Sequence, residues 1–232
     1  MSSPIRAVVF DAYGTLFDVH SVAAAAERLF PGRGAELSQL WRDRQLMYSW
    51  LRTLSDRYRP FSDVTRDALR FAARRLSLAV DPSAESALMD EYARLAAFPE
   101  NLQALRTLRA AELPLAILSN GDPRMLAASV RSAGMDELFA HLLSVDSVRR
   151  YKTSADAYGL GPQAFALPAA ELLFVSSNGW DVAGAGWYGY RTFWINRLDA
   201  PAEELDVAPQ ASGRLLTDVV DYINKVNTAR SL

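Results

Sequence analysis

The chain has 232 residues, half of them hydrophobic, which suffices for one large domain or for a domain carrying a smaller inserted one. Its formal net charge of -2 gives no electrostatic reason to expect a nucleic-acid or membrane partner. The lack of cysteine excludes a disulfide scaffold, a thiol nucleophile and a thiolate-bound metal. Because no apolar stretch has membrane-spanning length and residues 5–10 are too short for a secretory signal, we expect a soluble cytoplasmic protein.

The first predicted element is a short buried strand over Ala7–Phe10, rich in β-branched and aromatic residues. It ends at Asp11, and Gly14 fits a tight turn just beyond the strand. The carboxyl ends of buried strands are where open α/β sheets carry their chemistry, although most aspartates there only cap a helix. Asp11 is therefore a candidate catalytic residue.

A helical pattern follows the first strand and continues without a strand to Ala97. The predicted helices cover Ser21–Phe30, Leu37–Tyr58, a segment capped by Ser62 that runs to Leu76, and a segment from Asp81-Pro82 towards Ala97. Such an insertion predicts a helical cap domain over residues 18–97, with residues 1–17 and 98–232 forming the core domain.

Strands and helices alternate from Phe98 onward. The predicted strands are Leu115–Leu118, His141–Val145, Leu172–Val175 and Arg191–Ile195, and the helices are Pro99–Glu112, Pro123–Gly134, Ser154–Phe165, one from Trp180, and Leu215–Val226. Repeated strand–helix units predict an α/β fold with a doubly wound, Rossmann-like parallel sheet covered by helices on both faces.

Three predicted strands end in polar residues, at Asp11, Ser119-Asn120 and Ser176–Asn178. Serine and asparagine at strand ends are usually helix caps. Since parallel strands end at the same edge of a sheet, these three ends should meet, and their combination with an acid favours a functional site.

Residues 10–18, Phe-Asp-Ala-Tyr-Gly-Thr-Leu-Phe-Asp, resemble the first motif of the haloacid dehalogenase superfamily, in which the first aspartate is a covalent nucleophile. Phosphatases of that superfamily carry a second aspartate where this chain has Tyr13. The form Asp-Ala-Tyr-Gly-Thr is similar to the L-2-haloacid dehalogenase branch, and the likeness continues in register to about Ile195.

The resemblance implies that Asp11 attacks C2 of a 2-haloacid and that Thr15 orients it. Lys152 would keep Asp11 and Asp181 ionised together, because adjacent carboxylates otherwise raise each other's pKa. The other implied catalytic residues are Arg42, which would receive the halide, Tyr158 as the branch's active-site tyrosine, and Ser176, Asn178 and Asp181, which would hold the hydrolytic water.

The resemblance also implies a substrate-binding set. The Ser119 hydroxyl and the backbone amides that follow Asp11 would hold the substrate carboxylate, as an anion cradle near a helix N-terminus. The full implied set is Ala12 and Ser119 for the carboxylate, Arg42 and Asn120 for the halide, and Tyr13, Leu46, Phe61 and Trp180 for an apolar pocket around C2.

Two features depart from the family pattern or bear on metal binding. Thr153 stands where the family usually has proline, and Gly159–Pro162 predicts a break in the helix after Tyr158. Magnesium prefers several hard oxygen ligands, and Asp11 and Asp181 beside a lysine are a poor set, so we expect no metal and no cofactor. The two histidines lack carboxylate neighbours at ligand spacing, which argues against a zinc site.

The expected activity is hydrolytic dehalogenation of short L-2-haloalkanoic acids to D-2-hydroxyalkanoic acids. The expected partners are the haloacid, the halide and a second copy of the chain, since relatives are commonly dimers. Three alternatives stay open: a defluorinating enzyme acting on fluoroacetate, a phosphatase, and a catalytically silent interaction protein on the same scaffold. Tyr13 and the poor metal set disfavour the phosphatase.

Overall fold

A six-stranded sheet forms the centre of the computed structural model, which describes residues 4–92 and 94–228. The strands are β1 (Ala7–Phe10), β2 (Leu115–Ser119), β3 (His141–Ser144), β4 (Leu172–Ser176), β5 (Arg191–Ile195) and β6 (Ala211–Gly213). They lie in the order β3-β2-β1-β4-β5-β6 and every neighbouring pair is parallel. The predicted doubly wound sheet is confirmed, and the short edge strand β6 was missed because it lacks β-branched residues.

The described part of the chain contains nine helices, and the first four pack mainly on one another rather than on the sheet. The nine helices are α1 (His20–Leu29), α2 (Gly34–Leu54), α3 (Phe61–Arg75), α4 (Pro82–Tyr92), α5 (Asn101–Ala110), α6 (Pro123–Ser132), α7 (Ala155–Phe165), α8 (Gly179–Tyr188) and α9 (Leu216–Thr228). Strands β1, β2 and β4 are buried throughout, as expected for a parallel sheet covered on both faces. Of these described helices, none combines the length and apolar character needed to cross a bilayer.

Helices α1–α4 follow β1 without an intervening strand, and the two chain segments that join them to the sheet run side by side. Phe17 pairs with Ala97 in an antiparallel bridge, and the Asp18 amide donates to the Ala96 carbonyl at 2.8 Å. This is the connectivity of an insertion. The division into a cap over residues 18–97 and a core stays a prediction.

A second set of contacts joins the helical block to the loop after β3. Tyr58 donates from its hydroxyl to Asp146 Oδ1 at 2.6 Å, and Tyr151 donates from its hydroxyl to the Arg59 carbonyl at 2.6 Å. The Tyr151 amide donates to Thr53 Oγ1 at 3.0 Å. These bonds hold the segment between α2 and α3 against the carboxyl edge of the sheet.

The prediction that Ser62 caps α3 is wrong. The helix begins at Phe61 after Pro60, without a side-chain cap from its own segment. The Ser62 amide instead donates to Asp122 Oδ2 at 3.3 Å, so a carboxylate distant in sequence takes the role of the cap. Asp81 does cap α4 as predicted, accepting from the Ala84 amide at 2.8 Å.

The predicted helix break at Gly159–Pro162 is also wrong, since α7 continues to Phe165. Pro162 has no N–H, which leaves the Tyr158 carbonyl without its helical donor. The Tyr190 hydroxyl donates to that carbonyl at 2.6 Å and replaces the missing bond. A Cβ on Gly161 would lie 2.2 Å from the Tyr190 hydroxyl oxygen, so the glycine provides the space for this contact.

Replacing Tyr190 by phenylalanine should therefore leave a buried carbonyl unpaired. We expect Tyr190→Phe to lower the free energy of unfolding by about 1–3 kcal/mol in urea titrations. Tyr222→Phe, which removes a hydroxyl from half-buried α9, serves as the control and should change stability little. Equal stability of the two variants would show that the Tyr190 hydroxyl does not sustain α7.

Candidate active site

Asp11 lies directly after β1, where its amide still donates to the Val175 carbonyl of β4 at 2.9 Å. Only 6% of the residue is exposed. Its Oδ2 accepts from Thr15 Oγ1 at 2.9 Å and from Asn178 Nδ2 at 3.0 Å, and its Oδ1 accepts from Lys152 Nζ at 3.0 Å. Three donors therefore fix the position of the carboxylate.

The turn after β1 brings Thr15 back to this carboxylate. Gly14 has a φ of +87°, a conformation that glycine adopts at little cost. The Ala12 carbonyl then accepts from the amides of Thr15 at 3.3 Å and Leu16 at 2.8 Å. The sequence Asp-Ala-Tyr-Gly-Thr thus folds into a tight loop that orients Asp11.

The end of β4 supplies a second tight loop. Ser176 Oγ accepts from the Asn178 amide at 3.1 Å, which sets the direction of the asparagine towards Asp11. The Ser177 amide donates to Thr15 Oγ1 at 2.8 Å and so fixes the threonine hydroxyl. Ser177 was not among the predicted site residues, although its place inside the same motif was a signal for it.

Lys152 is fully buried and joins the two carboxylates of the site. Its Nζ lies 3.0 Å from Asp11 Oδ1 and 2.8 Å from Asp181 Oδ2. Its amide donates to Asn120 Oδ1 at 3.0 Å. A buried ammonium requires such partners, and the departure from the family at Thr153 leaves the lysine in the site.

Asp181, in the first turn of α8, is fully buried beside this lysine. Burial raises its pKa to about 6, while the charge of Lys152 opposes the rise and that of Asp11 adds to it. Tyr158 donates from its hydroxyl to Asp181 Oδ1 at 2.7 Å. Burial lowers the pKa of Lys152, but the two carboxylates outweigh burial and raise it above its ordinary value.

Ser119 and Asn120 lie at the end of β2, beside Asp11, because β1 and β2 pair in parallel. Ser119 is fully buried, and its Oγ accepts from the Gly121 amide at 3.0 Å. Ser144 Oγ donates to the Gly121 carbonyl at 2.7 Å, which holds the loop from the neighbouring strand. The predicted meeting of three polar strand ends is therefore present.

An aromatic wall stands next to this edge. The ring of Tyr13 stacks on Phe61 of α3, with centroids 6.2 Å apart and an interplanar angle of 23°. It also meets Tyr92 of α4 edge-on at 6.2 Å. Burial raises the pKa of Tyr13 well above its ordinary range, so the phenol is neutral at physiological pH.

Arg42 of α2 is the candidate contributed by the helical block. Its Nη1 donates to Gln45 Oε1 at 2.8 Å, and Gln45 Nε2 donates to Thr65 Oγ1 at 2.7 Å. Burial raises the pKa of Tyr92, and the positive charge of Arg42 opposes that rise. Among the described residues, Arg42 donates its hydrogen bond to Gln45 and not to Asp11. No signal in the sequence identified Gln45 as part of the site.

Leu46 and Trp180 complete the predicted apolar set. Leu46 is half-buried on α2. Trp180 meets Trp50 edge-on, with centroids 5.6 Å apart. Within the predicted apolar set, Tyr13 and Phe61 are in ring contact. Trp180 instead packs against Trp50, which the sequence analysis did not identify.

Metal ligands do not cluster in the described part of the chain: residues 4–92 and 94–228 contain no group of three or more His, Cys, Asp or Glu side chains able to hold an ion. The site carboxylates instead share the ammonium of Lys152.

A doubly wound sheet with a buried carboxylate, held by three hydrogen-bond donors at its carboxyl edge, is the arrangement of an α/β enzyme with a carboxylate nucleophile or base. The family model of haloacid dehalogenase-like hydrolases matches residues 5–189, which include every candidate site residue. The chain belongs to the haloacid dehalogenase-like hydrolase family.

Relatives within that family are similar over nearly the whole chain. The (S)-2-haloacid dehalogenase of Pseudomonas sp. (strain YL) is 48% identical over 217 residues, 94% of each chain. The crystal structure of the L-2-haloacid dehalogenase RSc1362 is 60% identical, with a TM-score of 0.95 over 96% of this chain and all of that one. The Xanthobacter autotrophicus L-2-haloacid dehalogenase with covalently bound chloropropionic acid is 41% identical, with a TM-score of 0.89 over 95% and 98% of the two chains.

The ammonium of Lys152, shared by the two carboxylates, leads us to predict how activity depends on pH. Burial raises the pKa of Asp181 to about 6 even though the charge of Lys152 opposes the rise, so activity that needs an ionised Asp181 should fall as the pH drops through that value. Lys152→Met removes the opposing charge and should move the acid limb of kcat upward by about one to three pH units. Lys225→Met, at an exposed position of α9, should leave the profile unchanged. A loss of rate that is equal at every pH would indicate a purely positional lysine.

Proposed function

We propose that this protein hydrolyses short L-2-haloalkanoic acids to D-2-hydroxyalkanoic acids and halide through an ester of Asp11. The observation that carries the proposal is the Asp11 carboxylate, buried and held by Lys152, Asn178 and Thr15. The similarity to L-2-haloacid dehalogenases over nearly the whole chain supports the same chemistry.

In the first half-reaction, one Asp11 oxygen attacks C2 from the side opposite the halogen. The new C–O bond forms as the carbon–halogen bond breaks, and the halide leaves with the bonding electrons. Arg42 and Asn120 receive the developing negative charge, since a guanidinium is suited to an anion that appears in the transition state. Because the attack comes from the back, C2 is inverted.

Substrate binding relies on the loops after β1 and β2. The Ser119 hydroxyl and the Ala12 amide hold the substrate carboxylate. Tyr13 and Phe61, which stack on each other, form the wall beside C2, and Leu46 and Trp180 extend it.

In the second half-reaction, water held by Ser176, Asn178 and Asp181 attacks the ester carbonyl carbon of Asp11. Asp181 takes one proton from the water and passes it to the departing alkoxide as the ester C–O bond breaks. The second proton of the water is released to solvent, and the Asp11 carboxylate is restored. Asp181 suits a general base because its pKa is about 6, and Tyr158 orients it. C2 is untouched in this step, so an L-haloacid gives a D-hydroxy acid.

Three further features belong to the same proposal. The helical block of residues 18–97 acts as a cap over the core formed by residues 1–17 and 98–232, supported by the side-by-side joining segments. Resemblance to relatives that are commonly dimers supports a homodimer. The third feature is a cytoplasmic location.

Halide release from a substrate panel tests the proposed class. We expect release from L-2-chloropropionate, little from the D-enantiomer, and unchanged rates after chelation with EDTA, because Tyr13 replaces the second phosphatase aspartate. Rapid release from fluoroacetate would extend the substrate range to defluorination. Hydrolysis of a phosphate ester that EDTA abolishes and Mg²⁺ restores would contradict the dehalogenase assignment, and inactivity on the whole panel would favour a silent scaffold.

A single turnover in ¹⁸O-water, with enzyme in excess, tests the covalent step. If Asp11 attacks C2, the oxygen on the product comes from the carboxylate, so mass spectrometry should find unlabelled hydroxy acid and one heavy oxygen on the Asp11 peptide. Labelled product with an unlabelled peptide would mean that Asp11 only activates water. Asp11→Asn should abolish turnover, whereas Asp199→Asn at an exposed position should not.

A further inference from the structure

A cavity of about 590 Å³ lies between α2 of the helical block and α8 of the sheet domain. Its apolar wall consists of Trp50 and Leu54 from α2, Trp180 and Trp187 from α8, and Leu205. Of these five residues, only Trp180 belongs to the site described above. The size is typical of cavities that bind small molecules.

The cavity reaches the reacting groups through Lys152. This lysine lines the cavity, and its Nζ lies 3.0 Å from Asp11 Oδ1. Trp180, which follows the Asn178 loop, packs edge-on against Trp50 in the wall of the same cavity, with ring centroids 5.6 Å apart. Lys152 therefore borders both the cavity and the reacting carboxylate.

The outer part of the cavity is apolar and carries little uncompensated charge. Leu54 is 82% exposed and Trp187 is 57% exposed, and large apolar residues exposed together mark binding surfaces. The cation at this end is Arg150, whose guanidinium is paired with Asp56 and with Asp156 Oδ2. These properties suit a hydrocarbon rather than a second anionic group.

We propose that this cavity binds the alkyl chain of 2-haloalkanoates longer than propionate. The inference rests on the proposed function, which keeps the substrate carboxylate and C2 at Asp11 while the chain from C3 onward passes Lys152 and Trp180. Each methylene that leaves water for such a wall should raise kcat/KM by up to about fourfold. The cavity thereby selects substrates by chain length.

Charges placed in the wall test this selection. In kcat/KM measurements on L-2-bromopropionate and L-2-bromohexanoate, we expect Leu54→Asp and Leu205→Asp to lower the hexanoate-to-propionate ratio by about tenfold or more, because a carboxylate at the wall disfavours the apolar chain. Neither variant should change the rate on bromopropionate. Leu51→Asp, an exposed leucine on the same helix but outside the cavity wall, is the matched control and should keep the original ratio.

A binding measurement separates this inference from the proposed function. Unhalogenated hexanoate should quench the fluorescence of the cavity tryptophans, and Leu205→Asp should weaken its binding about tenfold relative to Leu51→Asp. An unchanged chain-length ratio and unchanged hexanoate binding in the variants would overturn the subsite. The subsite would also be overturned if Leu54→Asp changed the sedimentation coefficient of the protein but left the hexanoate-to-propionate ratio unchanged. That result would identify the cavity wall as a protein interface. If the wild-type protein released no halide but bound hexanoate, with binding weakened by Leu205→Asp, the proposed function would be refuted and the subsite would be supported.

Discussion

The ammonium of Lys152, shared between Asp11 and Asp181, is the interaction on which the site depends. A nearby positive charge stabilises adjacent buried carboxylates, because burial and like charge disfavour the ionised form of an acid. Burial raises the pKa of Asp181 to about 6, and the charge of Lys152 opposes that rise. The parallel sheet brings the two acids and the lysine to one edge, and Thr15 and Asn178 then fix the orientation of Asp11.

The helical block holds the same edge from the other side. Tyr151, next to Lys152 in the chain, is hydrogen-bonded to Thr53 at the end of α2 and to Arg59 in the segment between α2 and α3. The backbone that positions the lysine is therefore fixed by both parts of the molecule. Covering the edge in this way also excludes water, which strengthens the attraction between Lys152 and its carboxylate partners.

The surroundings of Asp11 divide into a small polar site and a larger apolar space. Polar donors are concentrated in the loops after β1, β2 and β4, where short turns such as Ser176–Asn178 point side chains towards Asp11. Aromatic residues from the helical block, Phe61 and Trp50, provide the apolar surfaces. This division separates the groups that perform the proposed chemistry from those proposed to select the substrate.

The sequence by itself determined the parallel α/β sheet and the place of Asp11, because apolar runs, turn residues and alternation are encoded locally. It also determined that Lys152 and Asp181 belong with Asp11, since their motifs are specific. Only the tertiary structure decided where distant partners replace local signals. Helix α7 continues past Pro162 because the Tyr190 hydroxyl, remote in the chain, pairs with the orphaned Tyr158 carbonyl. The hydrogen bond of Arg42 to Gln45 and the cavity around Trp50 likewise depend on how helices pack, which periodicity alone does not specify.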